Sequence, residues 1–304
     1  MDKNFVTGVL LTLLGAVLWG ISGTCSQFVQ HQRGINAEWL VTFRLLTAGT
    51  ITVAAAYAQG RGTIFRIFRN RLDTMKIIIF GLFGIGLCQY AYFKSIFYAG
   101  AGIATVLQYI APVMIILYVA LVHHKMPSRG EAISVVLASA GTVLIALHGD
   151  FSGAAVNMTV LFWGLLSAVA VAIYSVQPVS ILRKYGTGPV VGFGMLIGGI
   201  SGELIWTPRD TTGIWDMWTF LAMASIVILG TVVSFNAYLE GVRRIGAVRG
   251  SILASVEPIS AALFAWALLG NTFTGTDIIG FALILATVFI LAGEKENKEA
   301  GSDN

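Results

Sequence analysis

Glu257 and Arg44 are the ionisable side chains set deepest in apolar sequence, and such groups are costly wherever water is excluded. Glu257 stands directly before Pro258, whose ring removes the helical hydrogen bond to the carbonyl of Ala254. A carboxylate beside a freed carbonyl suits an ammonium group or a proton. Arg44 sits about four residues, roughly 6 Å, from the middle of its own apolar run. It can hold a carboxylate through two hydrogen bonds, or act as a fixed counter-ion to Glu203 or Glu257. The cost of an unpaired deep guanidinium favours the counter-ion role. Glu203 and Glu257 are also the candidates for proton exchange, with Arg44 as charge partner.

Polar and aromatic residues recur around these two at spacings that share a helical face. They are Trp19, Ser22 and Ser26; Gly86, Gln89, Tyr90 and Phe93; Thr105, Gln108, Tyr109 and Pro112; Tyr174, Gln177 and Pro178; and Phe235 with Asn236. Aromatic stripes are mostly packing or an interfacial belt, as Trp206, Trp215 and Trp218 are expected to be. Amides at depth argue for more, because each needs a partner that hydrocarbon cannot supply. Trp19, Gln89, Tyr90, Gln108, Tyr109, Tyr174, Gln177, Asn236 and Glu257 are therefore the candidate ligand contacts. Pro112, Pro178 and Pro258 are the expected helix breaks. Mixed aromatic and amide walls suit an amphipathic solute of amino-acid size.

These residues have to be positioned by membrane helices. Of the 304 residues 56% are hydrophobic and 11% charged, too little polar surface to cover a water-soluble globule of this size. Apolar stretches of about 20 residues, the thickness of a hydrocarbon core, are read at 8–29, 38–58, 77–97, 101–122, 130–148, 159–181, 188–207, 216–236, 245–269 and 275–293. They are helices because a lipid-exposed backbone must satisfy its own hydrogen bonds, and porin-type alternation is absent. The first run, after Lys3, is longer than the core of a cleaved signal peptide and is read as a span.

Charge sets the expected orientation. With the N-terminus inside, Lys3, Arg61, Arg66, Arg69, Arg71, Lys76, Lys125, Arg129, Arg183, Lys184, Arg243, Arg244, Arg249, Lys295 and Lys298 are cytoplasmic, and Arg33, Lys94 and Arg209 are outside. Both ends are then cytoplasmic. Topology thus accounts for the pI of 9.1, and a nucleic-acid partner is not expected.

The chain also repeats itself. Tyr92-Phe93-Lys94, Gly100-Ala101 and Pro112 return as Tyr238-Leu239-Glu240, Gly246-Ala247 and Pro258 at an offset of 146 residues. At the same offset Gly84 meets Gly230, Ala91 meets Ala237, Thr105 meets Ser251, Leu107 meets Leu253 and Glu131 meets Asp277. With five helices per half the second half enters from the opposite side, which places Lys94 outside and Glu240 in an inside loop. The expected fold is an all-α membrane protein of ten transmembrane helices in two inverted five-helix repeats, N-in/C-in, over 8–148 and 159–293 with a cytoplasmic tail at 294–304. Such halves exchange conformations about a central site.

Trp19-Gly20, Arg44, the Tyr92…Gly100…Pro112 run and the Tyr238…Gly246…Glu257-Pro258 run resemble the two domains of an EamA-type transporter of the drug/metabolite transporter superfamily, over about residues 8–293. The sequence departs from that family where Lys125 and Asn271 replace the acidic residue usual after the fourth and ninth helices. The resemblance implies secondary transport of a small metabolite, often an amino acid and often outward, by alternating access; the expected location is a bacterial cytoplasmic (inner) membrane. A multidrug exporter of quaternary cations is the main alternative, with Glu257 and the aromatic walls binding the cation. A non-transporting receptor or scaffold is the remote one.

Other chemistries find little support. Gly20-Ile21-Ser22-Gly23 resembles a protease serine motif, but His31, His123, His124 and His148 all map to helix ends or loops, so no enzyme is expected. The Gly-x-Gly at 84–86 lacks a preceding strand, and Cys25 and Cys88 sit in separate helices, so neither a nucleotide cofactor nor a metal is expected. Gly188, Gly192, Gly194, Gly198 and Gly202 form ridges for close helix contact, within a monomer rather than along a dimer seam. The chain is expected to be a monomer or homodimer with a small-molecule solute and the lipid bilayer as partners.

Overall fold

A computed structural model describes residues 3–124, 126–147, 157–205, 213–270 and 272–300. Lys125, His148, Trp206, Arg209 and Asn271 lie outside the described residues, as do the side chains of Arg61, Ala101, His123, Lys295 and Lys298. Among the described residues ten helices are long and apolar enough to cross a membrane: α1 (Lys3–Gln32), α2 (Ala37–Gly60), α3 (Arg71–Ile96), α4 (Ile103–Val122), α5 (Arg129–Leu147), α6 (Met158–Tyr185), α7 (Thr187–Ile205), α8 (Met217–Ile245), α9 (Ala247–Leu269) and α10 (Gly275–Ala292).

Helix ends depart from the apolar runs where charges find partners. The third helix begins at Arg71, earlier than its apolar run, because the Asn70 side chain accepts from the backbone N–H of Leu72 and Asp73. The sixth continues to Tyr185, where Lys184 pairs with Asp73 at 2.6 Å. The eighth continues to Ile245, so Glu240 lies on a helix and not in a loop. Its carboxylate accepts from Arg243, Arg244 and Thr187, which lets the helix carry charge at its end.

The main contacts between helices recur when the two halves are exchanged. α2 packs on α7 and α5 on α10; α3 packs on α6 as α1 does on α8, and α6 on α4 as α1 does on α9. This is the inverted repeat expressed in packing. The seam between α5 and α10 shows it at atomic scale: a Cβ on Gly141 would lie 2.8 Å from the Gly280 carbonyl, and a Cβ on Gly280 would lie 2.8 Å from that of Gly141. Side chains are excluded there, so the backbones meet.

Local irregularities repeat as well. A π-helical stretch occupies Phe80–Gly86 in α3 and Ile228–Val233 in α8, each containing one of the matched glycines, Gly84 and Gly230. Helices α8 and α9 reverse at Gly246, whose φ of 88° favours a residue without a Cβ. In the first half the Tyr92 hydroxyl lies 2.9 Å from that of Thr105, although thirteen residues of straight helix would separate them by about 20 Å. The chain therefore also doubles back between α3 and α4. The central core, with Phe80, Leu45, Tyr238 and Val191, draws on both halves.

Candidate functional site

The site lies where α4 and α9 are interrupted. Helix α4 turns at Tyr109 and Ile110, just before Pro112, and α9 turns at Ala254 and Ser255, just before Pro258. A proline has no N–H to give the preceding turn, so the turn tightens and its carbonyls seek other donors. The Ala254 carbonyl is not left free, contrary to the expectation from Pro258. It accepts from the Glu257 N–H at 2.9 Å and faces the Tyr109 hydroxyl at 3.2 Å. The same hydroxyl lies 2.9 Å from Glu257 Oε2. Thus the break in one half is tied to the break in the other.

A narrow cavity of about 30 Å³ lies against this tie, lined by Trp19, Gln108, Tyr109, Ala111, Pro112, Val171, Tyr174, Tyr238, Ser251, Ala254 and Glu257. Helix α1 presents Trp19 by packing closely on α9, where Ser260 donates to the Val17 carbonyl at 3.2 Å and Thr24 to the Ala261 carbonyl at 3.2 Å. The Trp19 ring centroid lies 5.0 Å from those of both Phe235 and Tyr238, and Tyr174 closes the group at 6.0 Å from the same two rings. The cavity is therefore lined by aromatic rings together with the carboxylate.

Arg44 approaches from α2 but joins no carboxylate. Its guanidinium donates to Gln89 Oε1 on α3, and its Nε is buried without an acceptor. It lies within electrostatic range of Glu257, yet no ion pair joins it to Glu257 or to Glu203. Glu203 is exposed on α7, remote in character from a buried counter-ion. In place of the expected fixed pairing, Arg44 donates to an amide and holds its charge near Glu257 without contact. Beneath it, Gln108 Nε2 points to Cys88 Sγ at 3.6 Å.

Four of the nine expected contact residues do not line this cavity: Gln89, which accepts from Arg44, and three that point elsewhere. Tyr90, one residue or 100° on from Gln89, turns to the α6 flank, where its ring meets that of Trp163 edge-on at 5.6 Å. Gln177 donates to the Lys76 carbonyl at 2.8 Å and ties α6 to the start of α3. Pro178 interrupts α6 beside it, at the turn of Gln177 and Pro178. Asn236 donates back to Val232 of its own helix at 2.7 Å and faces a second cavity of about 790 Å³, shared with Gln59, Thr187 and Glu240. Tyr238, in contrast, lines the central cavity although only its repetition marked it in the sequence. A residue aligned between halves at the depth of a proline break is the signal that finds it.

Ion pairs close both ends of the bundle. Asp73 with Lys184, Glu240 with Arg243 and Arg244, and Arg249 with Glu131 stand at one end. Arg33 with Asp216 and Lys94 with Glu38 stand at the other. Asp216 caps α8, and hydrogen bonds from the Thr219 N–H and hydroxyl hold its carboxyl below the usual range.

The EamA-like transporter family matches the chain twice, at residues 6–147 and 158–293. The uncharacterized inner membrane transporter YicL of Salmonella typhimurium is 35% identical over 285 residues, covering 94% of this chain and 95% of its own. The threonine/homoserine exporter RhtA of the same species is 27% identical over 248 residues, covering 81% and 79%. A solved crystal structure superposes on 97% of this chain and 99% of its own with a TM-score of 0.77 at 19% identity, which establishes the shared fold. The duplicated, inverted ten-helix bundle and its interrupted central helices are therefore those of an integral membrane transporter and not of an enzyme: the chain belongs to the EamA-like transporter family, within the drug/metabolite transporter superfamily.

Proposed function

We propose that the protein exports a small zwitterionic metabolite, an amino acid or a close relative, by alternating access around the cavity lined by Glu257, with Arg44 in electrostatic range beyond its lining. One observation carries this reading. Arg44 and Glu257 lie in electrostatic range of one another but bind an amide and a phenol instead of each other. Two opposite buried charges held apart are complementary to a solute that bears both, its carboxylate toward Arg44 and its ammonium toward Glu257. The aromatic group of Trp19, Tyr174 and Tyr238 then receives the rest of the solute.

At about 30 Å³ the cavity has room for about one or two waters, so a solute enters only after the helices part. The π-helical stretches and proline breaks supply yielding points in matched positions of both halves. The five-helix halves over 8–148 and 159–293 are the moving bodies, with the Arg- and Lys-rich end facing the cytoplasm. Similarity to a threonine/homoserine exporter supports amino acids as the first solutes to test.

Counterflow in proteoliposomes tests the reading. Flux of amino acids, lost on Arg44→Gln and on Glu257→Gln, is the expected result. Flux of quaternary ammonium dyes without amino acids would establish the multidrug alternative, which the aromatic walls favour. Absence of flux across a broad panel would overturn transport of either class.

A further inference from the structure

The Tyr109 hydroxyl has one hydrogen and two acceptors. Its oxygen lies 2.9 Å from Glu257 Oε2 and 3.2 Å from the Ala254 carbonyl oxygen, and the second of these belongs to the interrupted turn of α9. An ionised carboxylate and a carbonyl can only accept, so a single hydrogen cannot fully satisfy both.

We infer that Tyr109 is a positioning residue that converts protonation of Glu257 into a hydrogen bond at the break of α9, and so couples solute movement to a proton. With Glu257 ionised, the Tyr109 hydrogen goes to the carboxylate, because a charge-assisted bond is roughly twice as strong as a neutral one. The Ala254 carbonyl then keeps only the Glu257 N–H at 2.9 Å. When a proton from water binds Oε2, the new carboxyl O–H donates to the Tyr109 oxygen. The Tyr109 hydrogen is released from the carboxylate and rotates to the Ala254 carbonyl. One proton is gained by the protein, and no other bond is made or broken. The turn of α9 is therefore held across to α4 in the protonated state and less firmly held in the ionised one.

The surroundings of Glu257 fit this role. The groups facing it are Arg44 from α2, Cys88 and Tyr92 from α3, Tyr109 from α4 and Tyr174 from α6; Tyr238 of α8 lines the same cavity. Arg44 is the cation among them and already donates to Gln89, so the Tyr109 hydroxyl is the donor in contact with the carboxylate. The inference rests on the reading of Glu257 as the group that meets the solute ammonium. An ammonium keeps Glu257 ionised and a proton neutralises it, so the two loaded forms differ at the α9 break.

Hydrogen exchange of peptides spanning residues 250–260, in nanodiscs without solute and corrected for intrinsic rate, reads the switch directly. The wild type is expected to show a step in protection with pH. Glu257→Gln, whose amide donates to Tyr109 as the neutral acid would, is expected to hold the low-pH protection throughout. Tyr109→Phe, which keeps the ring and loses the hydrogen, is expected to show no step. In proteoliposomes the ratio of accumulation driven by a pH gradient to exchange without one should fall about tenfold in Tyr109→Phe, the worth of one hydrogen bond to a charged group. A folded Tyr109→Phe protein that keeps the wild-type step, or a wild type that shows none, overturns the switch. A step without amino acid flux leaves the switch standing and removes the solute reading.

Discussion

Arg44 is held in the bundle by Gln89, a neutral amide, and by no acid. The charge that α2 carries into the apolar interior is thereby oriented without being cancelled. Gln89→Glu would cancel it. The expected result is a protein that melts no lower than the wild type while transport of carboxylate-bearing solutes falls at least tenfold, roughly the loss of one charge-assisted contact. Gln89→Leu removes the acceptor instead, and about 1–3 kcal/mol of stability should go with it. Parallel thermal melts and counterflow assays separate the two effects.

The meeting of Gly141 with Gly280 gives a packing prediction. Gly141→Leu places a side chain where the Gly280 carbonyl stands and should cost about 1–3 kcal/mol, with Gly280→Leu costing as much from the other side. Gly275→Ala, in open space at the start of the same α10, should change stability by less than about 0.5 kcal/mol. Equal melting points for Gly141→Leu and Gly275→Ala would contradict the close contact.

Lys94 and Glu240 occupy matched positions of the two repeats with opposite charge, and their surroundings differ more than their alignment does. Glu240 accepts from Arg243, Arg244 and Thr187, whereas Lys94 pairs with Glu38 at 3.0 Å. Reversal at Glu240 leaves three cations together and should cost about 2 kcal/mol; reversal at Lys94 should cost about 1 kcal/mol or less. Chemical denaturation of Glu240→Lys and Lys94→Glu in detergent measures the order, and raised salt should narrow the gap.

Asp216 supplies a pH dependence outside the membrane spans. Hydrogen bonds from Thr219 and the neighbouring Arg33 lower its folded pKa below the unfolded value of about 3.9. Its contribution is therefore fully present above about pH 4 and is lost as pH falls through the lower, folded value. Asp216→Asn should melt below the wild type at pH 7, and the two curves should converge in acid. A difference that stays constant with pH would place its origin elsewhere than in the charge.

The positions of the ten spans followed from apolar length alone, because hydrocarbon forces each span to satisfy its own backbone. Charged helix ends did not, since nothing in the local sequence shows that Asp73 will find Lys184, or Glu240 find Thr187. Pro112 and Pro258 marked both central breaks, and Glu257 marked the deep carboxylate. The π-helical stretches were silent in sequence, as their extra residue is set by packing against a neighbour, Gly84 beside Tyr174 and Gly230 beside Ser22.

What the sequence by itself determined was membrane residence, duplication, and the residue types at the centre. Each rests on composition or on spacing along one helix, which short-range geometry governs. Only the tertiary structure decided which helical face turned inward: Gln89 with Arg44, but Tyr90 with Trp163; Tyr238 in the cavity, but Asn236 outside it. It also decided that Tyr109, and not Arg44, touches Glu257, for the two lie 148 residues apart and meet only when the halves close on each other.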